Sequence, residues 1–308
     1  MSGTATGTSP GAEREEDLAF LLSGPRHRTW LTDVVSEVRS KKPVIVGMTV
    51  VVLLTIVALL APVISPYDPL GFQAVDRLQP PSLAHLFGTD NLGRDVFSRV
   101  VYGTRVSLAV GLSAVALGAT FGTTFGLLAA HLGGRWDNLI CRVLDVFFGI
   151  PDLLLAIALS SILGHGLINP IVAISIINVP FFARLVRAPA LGEKERDYVL
   201  AARVSGAGSG RIMLRHLLPN VLPVIIVQAS VSISYAILIE ASLGFVGLGV
   251  QPPTPSWGNM ISKGRVFLEL APWVSIFPGL AIMTAILAFN LTGDGLRDAL
   301  DPMLRGVR

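Results

Sequence analysis

The sequence predicts an all-α integral membrane protein with about six transmembrane helices, and three observations favour this fold class. Hydrophobic residues make up 52% of the 308 residues and charged residues only 15%, whereas about 25% of the residues in a soluble domain are charged. The mean hydropathy is +0.65. Six apolar segments each approach the roughly 20 residues that a helix needs to cross a bilayer. Composition and segment length together therefore place most of the chain in lipid.

The membrane domain is predicted to occupy residues 43–292, with polar segments at both ends. Its apolar segments lie at about 43–65, 104–130, 139–163, 167–187, 221–243 and 272–292. Outer loops at 66–103 and 244–271 and an inner loop at 188–220 separate them. Residues 1–28 predict a mobile cytoplasmic tail and residues 293–308 a second cytoplasmic tail. Residues 29–42 have the pattern of an amphipathic helix, either in the membrane interface or packed on protein.

The distribution of basic residues predicts the orientation. With the amino terminus inside, most of the 24 Lys and Arg residues fall on the inner side. The outer side holds only Arg77, Arg94, Arg99, Arg105, Lys263 and Arg265. The positive-inside rule therefore places both termini and the loop 188–220 in the cytoplasm. The net charge of +3 does not indicate a nucleic-acid partner, because the basic residues are not gathered into one patch.

Glycines and prolines predict how the helices pack. Gly118, Gly122 and Gly126 recur every four residues, which gives a smooth face for a neighbouring helix, although glycine is also common in membrane helices generally. Pro151 and Pro180 are expected to kink or locally unwind the third and fourth spans.

The inner loop is predicted to form a helix, a bend and a second helix. Helix-favouring residues run from about Glu193 to Ser205, and glycines then interrupt the pattern. A second helix is expected from Arg211 to Leu218, with Ser209 as its cap and Pro219 as its stop.

The same loop has features of a docking element. Ala201 and Ala202 would let a groove on another protein close on the backbone, while Arg203, Arg211 and Arg215 would place charge at its rim. The alternative is an ordinary inner loop, which is basic for reasons of topology alone.

One motif in this loop resembles a known family. The run A-A-R-V-S-G from Ala201, followed after nine residues by H-L-L-P, is similar to the Glu-Ala-Ala loop of ABC-importer permeases. Matching positions are held by Ala201, Ala202, Gly206, Leu218 and Pro219. Leu200 replaces the Glu of the pattern and His216 replaces an apolar residue, with Asp197 or Glu195 as possible acidic substitutes. The resemblance implies a coupling helix that docks in a cleft of an ATP-hydrolysing subunit.

Three further stretches resemble the C-type membrane subunit of dipeptide and oligopeptide importers, a group that also includes nickel and glutathione importers. They are F-G-T-D-N-L-G-R-D from Phe87, E-A-S-L-G-F-V-G-L-G from Glu240 and G-D-G-L-R-D-A-L-D-P from Gly293. The resemblance implies a type I ABC-importer fold in a bacterial-type inner membrane. It also implies three kinds of partner: a second permease subunit in a heterodimer, two ATP-binding subunits and an extracytoplasmic substrate-binding protein.

The sequence contains no phosphate-binding loop of its own. A Gly-Lys dipeptide is absent, so the G-x-x-x-x-G-K-[ST] motif is absent too. We therefore expect no enzymatic activity, no cofactor and no metal in this chain, with ATP hydrolysis supplied by partner subunits. A self-sufficient secondary transporter is the alternative, although such proteins usually show internal repeats and several interior ionisable residues. A membrane scaffold is the third possibility.

Charged residues outside the inner loop supply further candidates. Glu240 lies in the fifth apolar segment, where it either faces the translocation path or pairs near the outer membrane surface. Asp145 and Asp152 are expected to be structural, Asp145 through Arg142 and Asp152 at the Pro151 kink.

In the outer loops, Asp90, Arg94, Asp95 and Trp257 are candidate contacts to the binding protein. The alternatives are that the charges only fix the shape of the loop and that Trp257 lies at the headgroup level.

Overall fold

The structure is a computed structural model that describes residues 41–300 except His165. All regular secondary structure in this part of the chain is helical, apart from one isolated β-bridge between Thr89 and Asp95. The helices are α1 (Lys42–Leu59), α2 (Ala61–Ile64), α3 (Val96–Leu132), α4 (Gly134–Phe148), α5 (Asp152–Leu163), α6 (Ile168–Lys194), α7 (Asp197–Val204), α8 (Ser209–Ile212), α9 (Leu218–Val246), α10 (Trp257–Gly264) and α11 (Trp273–Leu300). The predicted all-α class is confirmed.

Five helices of the described chain are long and apolar enough to cross a membrane, and α4 with α5 brings the number to six if that bent pair counts as one span. The two members of the pair meet at 91°. The break falls at Gly149–Pro151, because Pro151 lacks the backbone donor that a continuous helix needs. The expected effect of Pro151 is therefore present, whereas α6 runs unbroken through Pro180, so local unwinding there was a wrong expectation.

Helices α3 and α6 pack closely against each other along their glycine face. A Cβ atom added to Gly122 would lie 2.6 Å from the Cβ of Phe182, and one added to Gly126 would lie 2.5 Å from the carbonyl oxygen of Ala183. Gly118 is equally close to Asn178. The predicted glycine face is confirmed, because only hydrogen side chains allow these two backbones to approach so closely.

The inner loop departs from its predicted boundaries. Gly208, rather than Ser209, is the N-cap of α8, and the chain passes through one π-helical turn, Met213–Leu217, directly into α9. Pro219 therefore does not stop the second helix. A π-turn accommodates the missing donor and the bulk of a proline ring, so Pro219 can lie in the first turn of α9.

The structure can also be compared with the predictions for the two ends of the chain. The last helix continues to Leu300, so residues 293–300 belong to α11 and the predicted tail cannot begin at 293. The predicted tail 1–28, most of the amphipathic helix 29–42 and the last residues 301–308 lie outside the described residues. At the start of the described chain, Lys41 Nζ lies 2.6 Å from a carboxylate oxygen of Asp298 in α11.

Candidate functional site

The loop segment from α7 to the start of α9 is anchored by three buried apolar side chains. Val199 and Leu217 are fully buried and Ile212 is 2% exposed, and all three belong to the main hydrophobic core of the membrane helices. Burial of side chains of this size stabilises their position by about 2 kcal/mol each. The segment is therefore held firmly against the membrane domain.

The opposite face of the segment is open to solvent in this chain. The exposed candidate residues are Asp197, Ala201, Arg203, Gly206, Arg211, Arg215 and Pro219. Ala202 and Leu218 are half-buried. The structure thus leaves most of the residues selected from the motif accessible, together with Val204, which is 90% exposed.

A polar cluster that the sequence did not indicate ties α7 to its neighbours. Tyr198 donates its hydroxyl hydrogen to the Glu193 carboxylate of α6 and accepts a hydrogen bond of 2.9 Å from Asn220 of α9. Asn220 also donates to the carbonyl oxygen of His216, at 2.6 Å. Burial, together with the Glu193 hydrogen bond, raises the pKa of Tyr198 to about 12, so the phenol remains protonated at neutral pH.

The first outer loop is organised around a buried carboxylate. Asp90 Oδ2 lies 2.6 Å from Arg94, and Asp90 Oδ1 accepts backbone hydrogen bonds from Leu92 and Arg94 at 2.8 and 3.1 Å. Arg99 lies 3.7 Å from the same carboxylate and donates to the Pro69 carbonyl. Burial, with Arg94 and Arg99 nearby, lowers the pKa of Lys263.

The candidate outer-loop contacts prove to be interior residues. Asp90, Arg94 and Asp95 are between 3% and 6% exposed and Trp257 is fully buried. Asp95 accepts from the backbone N–H of Ser98, which caps α3, and the Trp257 indole donates to the Val100 carbonyl at 3.1 Å. In this structure their side chains shape the loop and are not exposed to a partner, and Trp257 packs inside the protein rather than against lipid headgroups.

Glu240 is also fully buried. Its Oε2 accepts a hydrogen bond of 3.0 Å from Ser107 of α3, and its Oε1 has no hydrogen-bond partner among the described residues. The residue lies about two helical turns before the end of α9 at Val246. Its carboxyl group pairs with a serine in the interior of the bundle, and a role in the translocation path stays a prediction.

A cavity of about 400 Å³ lies between the broken span and helices α6 and α9. Its polar lining residues are Asp152, Asn178, Gln228, Ser232 and Tyr235, and its apolar lining includes Phe147, Phe148 and Phe181. The Tyr235 hydroxyl donates to Asp152 Oδ2 at 3.1 Å. The volume falls in the range typical of small-molecule sites.

A second cavity of about 590 Å³ lies next to the first, between α6, α9 and α11. Gln228 and Val231 line both cavities, and Asp294 and Arg297 of α11 line the second one. The second cavity also reaches the start of α9 at Pro223 and the last turns of α11.

Two family models match the chain. One is described as the inner membrane component of binding-protein-dependent transport systems and matches residues 122–306. The other is described as the N-terminal TM domain of oligopeptide transport permease C and matches residues 29–81.

The chain is also similar to individual transport permeases. The chain is 47% identical over 270 residues to a dipeptide transport system permease protein, DppC, of Alkalihalophilus pseudofirmus, covering 87% of this chain and 88% of the relative. It is 48% identical over 257 residues to a glutathione transport system permease protein, GsiD, of Escherichia coli, covering 83% and 85%. Among solved structures, the MetNI methionine ABC transporter in inward-facing conformations is similar in fold, with a TM-score of 0.54, 21% identity and coverage of 66% of this chain and 96% of that chain.

Proposed function

Because this chain belongs to the family of inner membrane components of binding-protein-dependent transport systems, we propose that it forms half of the translocation path of an ATP-driven importer for peptides. The observation that carries the proposal is the loop segment from α7 to the start of α9, which we propose to be cytoplasmic: Val199 of α7 is fully buried, whereas Ala201 and Arg203 of the same helix and Gly206 just after it are exposed. A helix that is firmly seated and solvent-exposed on one face can transmit movement of a docked subunit to the membrane helices.

The roles of the docking residues follow from their positions. Ala201 and Ala202 let the groove of an ATPase subunit approach the backbone, and Arg203, Arg211 and Arg215 supply charge around it. Gly206 has a φ of 84°, a conformation that favours glycine and allows the chain to turn after α7. Leu218 and Pro219 begin α9 and connect docking to the cavity wall. Asp197, exposed in the first turn of α7, is the acidic residue nearest to the position that Leu200 occupies.

The proposed assembly contains a second permease subunit, two ATP-binding subunits and an extracytoplasmic substrate-binding protein. Helix α4 supports a membrane partner, since none of its residues is buried in the described chain. Its exposed apolar side chains include Trp136, Leu139, Val143 and Val146. Both termini are proposed to be cytoplasmic, which directs the first outer loop toward the binding protein.

ATP would drive transport by favouring one of two conformations. ATP that binds more tightly when the ATPase subunits are closed shifts the whole assembly toward the matching state of the membrane helices. Peptides are the proposed substrates, as for the dipeptide transport system permease protein to which the chain is similar. Glutathione or nickel chelates are the alternative within the same mechanism.

Reconstitution tests the proposal directly. The complete importer in proteoliposomes should accumulate a dipeptide only with its binding protein and ATP, and this chain alone should not. Uptake by this chain alone would instead identify a secondary transporter. Ala201→Leu should reduce copurification of the ATPase subunits, because the added bulk occupies the docking face, whereas Ala84→Leu places the same bulk on the exposed outer loop and should not.

A further inference from the structure

The three acidic residues of the broken span have different partners. Asp137 forms two hydrogen bonds of 2.6 Å with Arg187, and Asp145 lies 2.5 Å from Arg184, not next to Arg142 as the sequence suggested. Asp152 has no basic partner among the described residues, and its hydrogen-bond partner is the neutral hydroxyl of Tyr235. A carboxylate in a membrane span without a cation is costly and is by default a functional candidate.

The cavity around Asp152 supplies hydrogen-bond acceptors and has no basic side chain in its lining. Its lining residues include no Lys, Arg or His. Asn178 and Gln228 use their side-chain nitrogens within their own helices, at 2.8 Å to the Ile174 carbonyl and 3.3 Å to Ser232, so their amide oxygens remain as acceptors. Arg184, which stacks on Phe148 at 4.0 Å, is already paired with Asp145. The site therefore lacks one component, a cationic donor.

We propose that Asp152, with Tyr235 beside it, binds the primary ammonium group of the transported molecule at an intermediate position in the path. A carboxylate oxygen accepts strongly from an ammonium group, and the neighbouring aromatic rings favour a cation at their faces. Dipeptides and glutathione, named for the relatives, share a free α-ammonium group. The inference rests on the proposed function and specifies the part of the substrate that this chain recognises.

The position of the cavity agrees with such a role. Asp152 is the first residue of α5, directly after the 91° break, so it is presented at a helix end rather than buried between helices. Gln228 and Val231 continue the wall into the second cavity, which gives the bound group a route toward the cytoplasmic end.

The test uses one cysteine as a reporter in the complete importer, in detergent and without its binding protein. Cys141 is the single cysteine of the chain. Cys141→Ser with Val231→Cys therefore leaves one thiol, at a position that lines both cavities. Labelling of this chain by a thiol reagent is followed by mass spectrometry. Free Ala-Ala should slow the labelling, and N-acetyl-Ala-Ala at the same concentration should not, because acetylation removes the ammonium charge.

Asp152→Asn should raise the concentration of Ala-Ala needed for protection by about tenfold or more, because hydrogen bonds to charged groups are the stronger ones. Asp152→Glu, which keeps the charge, should retain part of the protection. Equal protection by both peptides, or protection by neither, would overturn the proposal. The comparison of the two peptides needs no variant of Asp152, so it remains decisive even if Asp152→Asn fails to assemble.

A separate measurement keeps the two proposals distinguishable. Uptake of Ala-Ala by the unmodified importer, with its binding protein in proteoliposomes, tests the proposed function alone. Uptake without differential protection would reject the ammonium site and leave the importer assignment in place. Absence of binding-protein-dependent and ATP-dependent uptake would reject the importer assignment itself.

Discussion

Asn220 donates a hydrogen bond of 2.9 Å to the hydroxyl of Tyr198, and the same hydroxyl donates to Glu193. Three helices therefore meet at one oxygen atom: α7 through Tyr198, α9 through Asn220 and α6 through Glu193. Helices α6 and α9 also form much of the cavity wall that contains Asn178 and Gln228. A displacement of α7 by a docked subunit would thus reach both walls of the cavity.

Tyr198→Phe is expected to weaken this link while it preserves the aromatic ring. The variant loses two hydrogen bonds, each with a net contribution of about 1 kcal/mol. We expect the ratio of peptide taken up to ATP hydrolysed to fall severalfold, with the ATPase subunits still bound. The measurement is uptake and ATP hydrolysis in the same proteoliposomes.

Tyr102→Phe provides the matched control for that variant. Tyr102 lies in α3, and its hydroxyl has no hydrogen-bond partner among the described residues. The same deletion there should leave the transport ratio unchanged. An equal loss in both variants would show that the Tyr198 cluster has no special role in coupling.

Gly122→Val is expected to separate α3 from α6. The new side chain would start 2.6 Å from both the Phe182 Cβ and the Val179 carbonyl oxygen, and overpacking of this kind costs about 1–3 kcal/mol. Thermal unfolding of the detergent-solubilised assembly should therefore occur at a lower temperature. Gly192→Ala in α6 is the control, since nothing lies within 4 Å of its added Cβ, and helix propensity predicts a small stabilisation there. A Gly122→Val variant as stable as the unmodified chain would contradict the packing argument.

The sequence was sufficient for features that depend on local pattern. Span length predicts the apolar helices, and the four-residue glycine repeat identifies the α3 face that α6 covers. The continuation of the helix through Pro219 was not predictable in this way, because it depends on a π-turn five residues long immediately before α9.

The candidate functional residues also divide into those that a local sequence pattern identifies and those that only the folded structure brings together. The proposed docking residues around Ala201 could be selected from the sequence because their motif is contiguous. Asp152 was interpreted as structural, since its relationship to Tyr235, 83 positions away, exists only after folding. Asp90, Arg94 and Trp257 were placed at a surface, yet the packing of α10 against the first outer loop buries them.

Asp90→Asn is expected to loosen the first outer loop. The change leaves Arg94 and Arg99, which are 6% and 3% exposed, without their shared counter-charge. Removing one partner of a buried ion pair costs on the order of 3 kcal/mol. Limited proteolysis should therefore cut within residues 66–95 much faster than in the unmodified chain.

Asp68→Asn is the control for the loop variant. Asp68 is exposed, and its side chain accepts one backbone hydrogen bond of 2.9 Å from Leu70, which an asparagine oxygen can also accept. Proteolysis should hardly change. Comparable cleavage rates in the two variants would mean that the buried cluster does not hold the loop.

Glu240→Gln separates a structural from a path role for the buried acid of α9. The amide oxygen can still accept from Ser107, and a neutral amide costs less to bury than a carboxylate whose Oε1 has no partner among the described residues. We therefore expect uptake within about twofold of the unmodified importer. Thermal stability should be equal or higher, because a neutral group costs less free energy to bury than a charged one. Glu240→Leu, in contrast, removes the acceptor of Ser107 and should lower stability by about 1–3 kcal/mol. If Glu240→Gln abolished uptake while the assembly stayed folded and hydrolysed ATP, the carboxylate would have to act in transport despite its burial.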